Sequence, residues 1–169
     1  MLPAFSDILS AMKKPAAQRF WLLKSEPSCY SIDNFAKDKK AAWGGIRNYQ
    51  ARNFMRDSMQ LGDLFLFYHS GPPSPGAVGV GEVCGLAQAD ESAFDKKDKD
   101  FDPKATRANP IWVAPDVKFV SKFKQEVPLA RIKIDPKLSG IMVAAKGSRL
   151  SVQPLSEAHF RHILSLGEK

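Results

Sequence analysis

Cysteine is nearly absent: Cys29 and Cys84 are the only two, far apart and without metal-ligand spacing. That scarcity excludes a disulfide framework and fits a reducing compartment in which both thiols are small buried hydrophobes. No apolar run approaches the length that spans a bilayer, so no membrane partner is expected. The chain also lacks a dinucleotide fingerprint, a phosphate-binding loop and a zinc motif, so neither cofactor nor metal is expected. No internal repeat divides it. Acidic residues are in deficit: 25 Lys and Arg stand against 18 Asp and Glu, for a net charge of +7. A basic surface attracts phosphate backbones through counterion release, largely without regard to sequence. Charge alone fits a nucleic-acid binder and an ordinary basic protein equally well.

What is present suits one domain of 169 residues. Residues 1–19 have a different texture and are set outside the core, which leaves 20–166 as the domain. Phe5, Ile8, Leu9 and Met12 would line one face of a short helix ended by Lys13-Lys14-Pro15. Asp7 and the shortage of Arg argue against a transit peptide, so this segment reads as an arm or a docked helix. A cytoplasmic monomer is the default, nuclear in a eukaryote.

Phe20-Trp21-Leu22-Leu23 fits a first strand that leaves through a corner at Lys24-Ser25-Glu26-Pro27. Ser31 is placed to cap a helix containing Ile32, Phe35 and Ala36. From Trp43 a Gly-Gly turn leads into a helical pattern with Ala51, Phe54, Met55, Ser58 and Met59 on one face. Asn48, Arg52 and Arg56 recur on another face, and Gly62 is placed as the helix stop. Leu64 to Phe67 reads as a strand buried on both sides that delivers Tyr68, His69 and Ser70 to one end. The Val and Gly alternation from Ala77 to Gly85 predicts a strand closely approached by another backbone, with Glu82 either an outward charge or a pocket carboxylate. Residues 89–109 read as an exposed connection, pinned near Phe101-Asp102-Pro103-Lys104. Ile111, Val113, Val117 and Phe119 predict more sheet, interrupted by Pro115. Ser156 caps a last helix, with Leu155 and Phe160 as a hydrophobic staple. Short strands, short helices and no regular βα alternation predict an α+β domain built on a strongly curved or barrel-like sheet.

Four separated blocks carry a resemblance: W-L-L-K-S-E-P from Trp21, W-G-G-I-R-N-Y-Q-A-R-N-F-M from Trp43, G-D-L-F-L-F-Y-H-S from Gly62, and S-R-L-S-V-Q-P from Ser148. In this order they resemble the EVE domain, and more closely the thymocyte nuclear protein family and its bacterial relatives. The resemblance runs from about Phe20 to Leu164. It implies a PUA-like fold, a pseudo-barrel of mixed strands surrounded by short helices. It also implies a reader of a modified base in DNA or RNA, with modified cytosine the usual ligand. An extruded base must recover a few kcal/mol of unstacking and unpairing through stacking and edge hydrogen bonds, and stacking on an aromatic ring supplies roughly 1–3 kcal/mol.

For such a pocket Trp43 is the first stacking candidate, against a core Trp packed beside glycines. Tyr30, Tyr49 and Tyr68 would wall it, or be half-buried tyrosines with satisfied hydroxyls. Ser25 and Glu26 suit the base edge, because a carboxylate accepts from an exocyclic amine. Asn48 offers a paired donor and acceptor, with capping as its structural alternative. Ser70, Ser148, Leu150 and Ser151 complete the base-binding set, and His69 joins it or is a satisfied structural histidine. Lys24, Arg47, Arg52 and Arg149 are the phosphate candidates, while Arg56 faces solvent. The competing reading is an enzyme: some ASCH relatives of the superfamily use Lys, a hydroxyl residue and Glu as amidohydrolases on modified nucleosides. Lys24, Ser25 and either Glu82 or Glu26 supply those types. A third reading is a protein-interaction domain with a vestigial pocket.

Overall fold

A computed structural model describes residues 18–169; the helix expected over Phe5 to Met12 lies outside them. The chain order is β1 (Phe20–Ser25), α1 (Ile32–Asp38), β2 (Lys40–Ala42), α2 (Tyr49–Asn53), β3 (Leu64–His69), β4 (Gly76–Ala89), β5 (Val113–Pro128), α3 (Leu129–Ile134), β6 (Val152–Leu155) and α4 (Glu157–Gly167). The six strands form one mixed sheet in the order β2-β5-β4-β3-β1-β6, which does not close on itself. β1 and β3 run parallel at its centre, and the other neighbours pair antiparallel. This is the expected α+β, PUA-like architecture, with an open sheet instead of a barrel.

The central strands are apolar on both faces because both faces are covered. Side chains alternate across the sheet. Phe20 and Leu22 of β1 with Leu64, Leu66 and Tyr68 of β3 therefore join Ile132, Phe160, Ile163 and Leu164 in one core. Trp21, Leu23, Phe65 and Phe67 join Ile32, Phe35, Trp43, Ala51 and Met55 in the other. Glycines let the strands and their partners approach: a Cβ on Gly81 would lie 2.2 Å from the Phe65 ring, and one on Gly79 would lie 2.5 Å from the Ser121 carbonyl oxygen.

The caps are local and fall where the sequence predicts them. The Ser31 side chain accepts from the Asn34 N–H, and Asn34 reciprocates on the Ser31 N–H. The Ser156 hydroxyl accepts from the His159 N–H, and both Leu155 and Phe160 pack into the first core. Four expectations need correction. Cys29 is exposed and Cys84 half-buried, so neither thiol is the buried hydrophobe expected. Gly62 does not stop a helix: α2 widens into a π-type turn over Phe54–Ser58, Met59 is already extended and buried, and Gly62 serves a separate turn at φ 86°. Pro115 does not interrupt β5: its carbonyl accepts from the Trp43 N–H just past the end of edge strand β2, so its ring nitrogen faces that strand end and removes no bond from the β4–β5 ladder. Residues 89–109 are not simply exposed: Ala93 and Ala105 pack with Trp112 in a small third core, and Trp112 Nε1 donates to Asp102 at 2.7 Å. Among the described residues no helix is long and apolar enough to cross a membrane.

Candidate functional site

Two clefts flank Lys24 at the end of β1. The first has a volume of about 480 Å³ and is lined by Lys24, Ser25, Tyr30, the Ala41–Ile46 strip, Gln88 to Ser92, Asp100 and Ala114. The second, about 670 Å³, is lined by Lys24, Tyr68, Ser70, Gly71, Pro75, Leu129, Lys133 and residues 143–149. The parallel pairing of β1 with β3 sets Lys24 beside Tyr68 and Ser25 beside His69, where both strands end. The chain then closes its corner with hydrogen bonds: Ser25 Oγ donates to the Tyr30 carbonyl at 2.7 Å, and the Cys29 and Tyr30 N–H groups donate to the Glu26 carbonyl.

Trp43 is mostly core. It is 6% exposed, meets Phe67 edge-on at 5.3 Å and leans on Phe65 at 5.8 Å, so only an edge of the indole borders the first cleft. The other indoles have carboxylate partners: Trp21 Nε1 donates to Asp63 at 2.9 Å and Trp112 Nε1 to Asp102. Trp43 Nε1 has no acceptor among the described residues. The two glycines that follow it are required by what approaches them. A Cβ on Gly44 would lie 2.8 Å from Asp90 Oδ1, and one on Gly45, whose φ is +76°, would lie 2.7 Å from Asp100 Oδ2.

Asp90 organises this wall. Its Oδ2 accepts from the Gly45 N–H and from Arg47, both at 2.8 Å, and its Oδ1 accepts from the Ser92 N–H at 3.0 Å and the Ser92 hydroxyl at 2.7 Å. Burial alone would raise this carboxyl, but the bonds from Arg47, Gly45 and Ser92 outweigh it and hold the group below the usual carboxylate range. A carboxylate has about four lone-pair sites, and all are taken, so Asp90 builds the cleft and does not read a ligand. Arg47 is likewise occupied, by Asp90, the Ser92 hydroxyl and the Asp100 carbonyl.

The residues marked in the sequence are shared between the two clefts or lie outside both. Ser25, Tyr30 and Trp43 line the first; Tyr68, Ser70, Ser148 and Arg149 line the second; Lys24 lines both. Alternation along β3 parts its polar tip, because Tyr68 faces one core and His69 the other side of the sheet. Glu26 is exposed and lines neither cleft. Asn48 caps α2, its side chain accepting from the Ala51 N–H. Tyr49 is 58% exposed outside the clefts, its ring 4.9 Å from that of Trp112 and tilted by 32°, with the Arg52 guanidinium 4.7 Å over it. Arg52 also donates to the Ile111 carbonyl at 3.2 Å. Ser148 closes the 148–151 loop: its hydroxyl accepts from Gln153 and its carbonyl from Lys24 Nζ, both at 2.8 Å. The Leu150 carbonyl also accepts from Gln153, and the Ser151 carbonyl from the Lys24 N–H. Desolvation pushes the Lys24 ammonium below the usual lysine range, and burial with the neighbouring Asp38 raises the Tyr30 phenol to about 12.

His69 Nε2 accepts from the Ile32 N–H at 3.0 Å, which requires a neutral ring. Desolvation lowers its pKa, Glu126 and Asp33 oppose that, and Lys122 adds to it. A depressed pKa means that the unfolded chain binds the proton more readily. His69 therefore contributes stability that is present above its ordinary value of 6.5 and is lost as the pH falls through its folded value. The melting temperature is expected to drop between pH 7 and pH 5, and His69→Asn is expected to flatten that drop. Parallel pH profiles for the two proteins would exclude His69 as the source.

Sequence reasoning missed Asp90, Gln88 and Asp100 at the first cleft and Lys133 and Lys146 at the second. Nothing local separates Asp90 from the other acids of residues 89–102, a charge-mixed stretch with several Asp. The enzyme reading finds no assembled triad with Glu82. Glu82 is opposite Leu64 and Phe20, at the far ends of β3 and β1 from Ser25, and is paired with Lys118 at 3.2 Å. At roughly 3.3 Å per residue, the strand rise places it on the order of 16 Å from Ser25.

Comparisons with known proteins show the family and the fold. The EVE domain family model matches residues 19–166. Human thymocyte nuclear protein 1 is 38% identical over 167 aligned positions, which cover 88% of this chain and 74% of that protein. A crystal structure of a Pseudomonas syringae protein superposes with a TM-score of 0.84 at 43% identity, covering 87% of this chain and 98% of that one. Human THYN1 protein in complex with 5-methylcytosine containing DNA superposes at 0.83 with 35% identity, covering 90% of this chain and 99% of that one. The YTH domain of the Zygosaccharomyces rouxii MRB1 protein, in complex with N6-methyladenosine RNA, shares the fold at a TM-score of 0.56 and 18% identity, covering 92% and 87% of the two chains.

Proposed function

Because this chain belongs to the EVE domain family, we propose that it is a non-catalytic reader of a modified base, modified cytosine first, taken from DNA or RNA into the first cleft. The observation that carries this reading is a cavity of about 480 Å³ whose polar lining keeps hydrogen-bonding capacity of the right kinds. Ligand sites usually measure about 300–1,000 Å³. The Asp100 carboxylate and Ser25 Oγ accept, which suits an exocyclic amine; Gln88 both donates and accepts; Trp43 Nε1 donates. Asp100 thus takes the role the sequence suggested for Glu26. Ala41, Ala42, Ile46, Ala89 and Ala114 offer an apolar lining for an added methyl. The THYN1 complex with 5-methylcytosine DNA supports the same ligand class. Such a reader works where the nucleic acid is: the nucleus in a eukaryote, the cytoplasm otherwise.

Ala42 tests the reading, since it lines the cleft from the edge strand β2 and its side chain makes no hydrogen bond. Filling the cleft with Ala42→Phe is expected to remove the preference for an oligonucleotide carrying 5-methylcytosine over its plain counterpart, while the plain strand binds as before. Equal binding of modified and plain strands by the parent protein at two ionic strengths would refute the proposal.

A further inference from the structure

The second cleft has an electrostatic character that the first lacks. Its charged lining is Lys24, Lys133, Lys146 and Arg149, with no Asp or Glu among the residues that form it. Outside the cleft, Lys40, Arg47, Arg56, Arg107, Lys118, Lys122 and Arg161 meet a carboxylate and the other described cations do not, so it is convergence on one concave surface that sets these four apart. None of these cleft cations forms an ion pair among the described residues. They come from three separate parts of the chain, the end of β1, α3 and the 143–149 loop, so no local charge run explains their convergence. The loop is held against β1 by Lys24 Nζ on the Ser148 carbonyl and by Gln153 on the Ser148 hydroxyl, which fixes where Arg149 and Lys146 start. Ser70 and Ser148 add hydroxyls at the rim.

Cations gathered in a concave surface without counter-charge repel one another and focus a field that an anion relieves. We infer that this cleft binds a phosphate group, with Lys133 and Lys146 as contacts alongside Lys24 and Arg149. Lys24 lines both clefts, so a phosphodiester here belongs to the strand whose base enters the first cleft. The inference rests on the base-reading proposal only for that continuity. It also reassigns the phosphate contacts expected of Arg47 and Arg52: the first is engaged with Asp90 and Asp100, the second with Tyr49 and the Ile111 carbonyl.

The test is the salt dependence of oligonucleotide binding by Lys133→Ala/Lys146→Ala, both exposed positions, measured with modified and plain strands. Losing two phosphate contacts is expected to make the slope of log K against log salt shallower by about 1.4 for a single strand and about 1.8 for a duplex. Arg56→Ala/Lys118→Ala removes the same charge from cations that are already paired, and is expected to leave the slope nearly unchanged. A free phosphate as the source is distinguished by titrating inorganic phosphate at constant ionic strength. Saturable binding that the Lys133/Lys146 variant abolishes, without a change in oligonucleotide slope, supports the cleft with that ligand. An unaltered slope together with no phosphate binding overturns the inference, whatever the base preference. A shallower slope with equal binding of modified and plain strands keeps the cleft and rejects the base reading instead.

Discussion

Trp43→Ala is expected to cost about 3–5 kcal/mol of folding stability, the range for truncating a buried aromatic. The ring is 6% exposed and packs on Phe65 and Phe67 between β3 and the 41–46 strip, so its removal opens a void in the second core. Domains of this kind hold about 5–15 kcal/mol in total. The urea midpoint is therefore expected to fall sharply while the slope of the transition stays put. The result bears on function, because loss of base preference in this variant would report a collapsed wall and not a missing stacking face. Trp43→Phe separates the two: it keeps an aromatic ring in the core while removing the indole N–H and part of the ring volume. It is expected to stay folded and to lose part of the preference for the modified strand. A Trp43→Ala protein within 1 kcal/mol of the parent, on the order of a surface change, would show that the indole is not packed as described.

Asp90→Ala is expected to cost about 3 kcal/mol, the lower end for breaking a buried charge pair, since Arg47 keeps some contact with solvent and with the Asp100 carbonyl. It leaves the Gly45 N–H and the Ser92 N–H and hydroxyl without their acceptor, so the wall of the first cleft loosens. Discrimination between modified and plain strands is expected to vanish with the fold still recoverable at low temperature. The sign with pH follows from the depressed carboxyl. Its contribution is present above the ordinary value of 3.8 and is lost as the pH falls through the folded value. Asp90→Asn is therefore expected to lose most at neutral pH and to converge with the parent in acid. A constant difference between the two across the acid range would mean that Asp90 is not the ionised anchor of this loop.

Glu26 and Asp100 show how far the reading of residue types extends. An acceptor for an exocyclic amine is expected on chemical grounds, and an acid does line the cleft, but it is Asp100, supplied from a segment that reads as a connection. The fold itself was largely legible. Uninterrupted apolar runs at Phe20 to Leu23 and Leu64 to Phe67 mark strands covered on two faces, and Ser31 and Ser156 mark helix starts. The four ordered blocks identify the family, and the family model spans residues 19–166.

The amino-acid order alone determined what depends on neighbours a few positions apart: strand alternation, helix caps, the glycine turns and the excess of positive charge. Tertiary structure alone decided which polar groups meet. Asp90 reaches back across more than forty residues to Gly45 and Arg47, and Lys133 of α3 and Lys146 of the 143–149 loop converge with Lys24. The physical reason is range. Propensity and periodicity act over a turn or two of chain, whereas the burial and partnering of a charged side chain depend on strand register and loop packing. A carboxylate has the same chemistry in the sequence whether it ends in water, in a salt bridge or at the wall of a cleft.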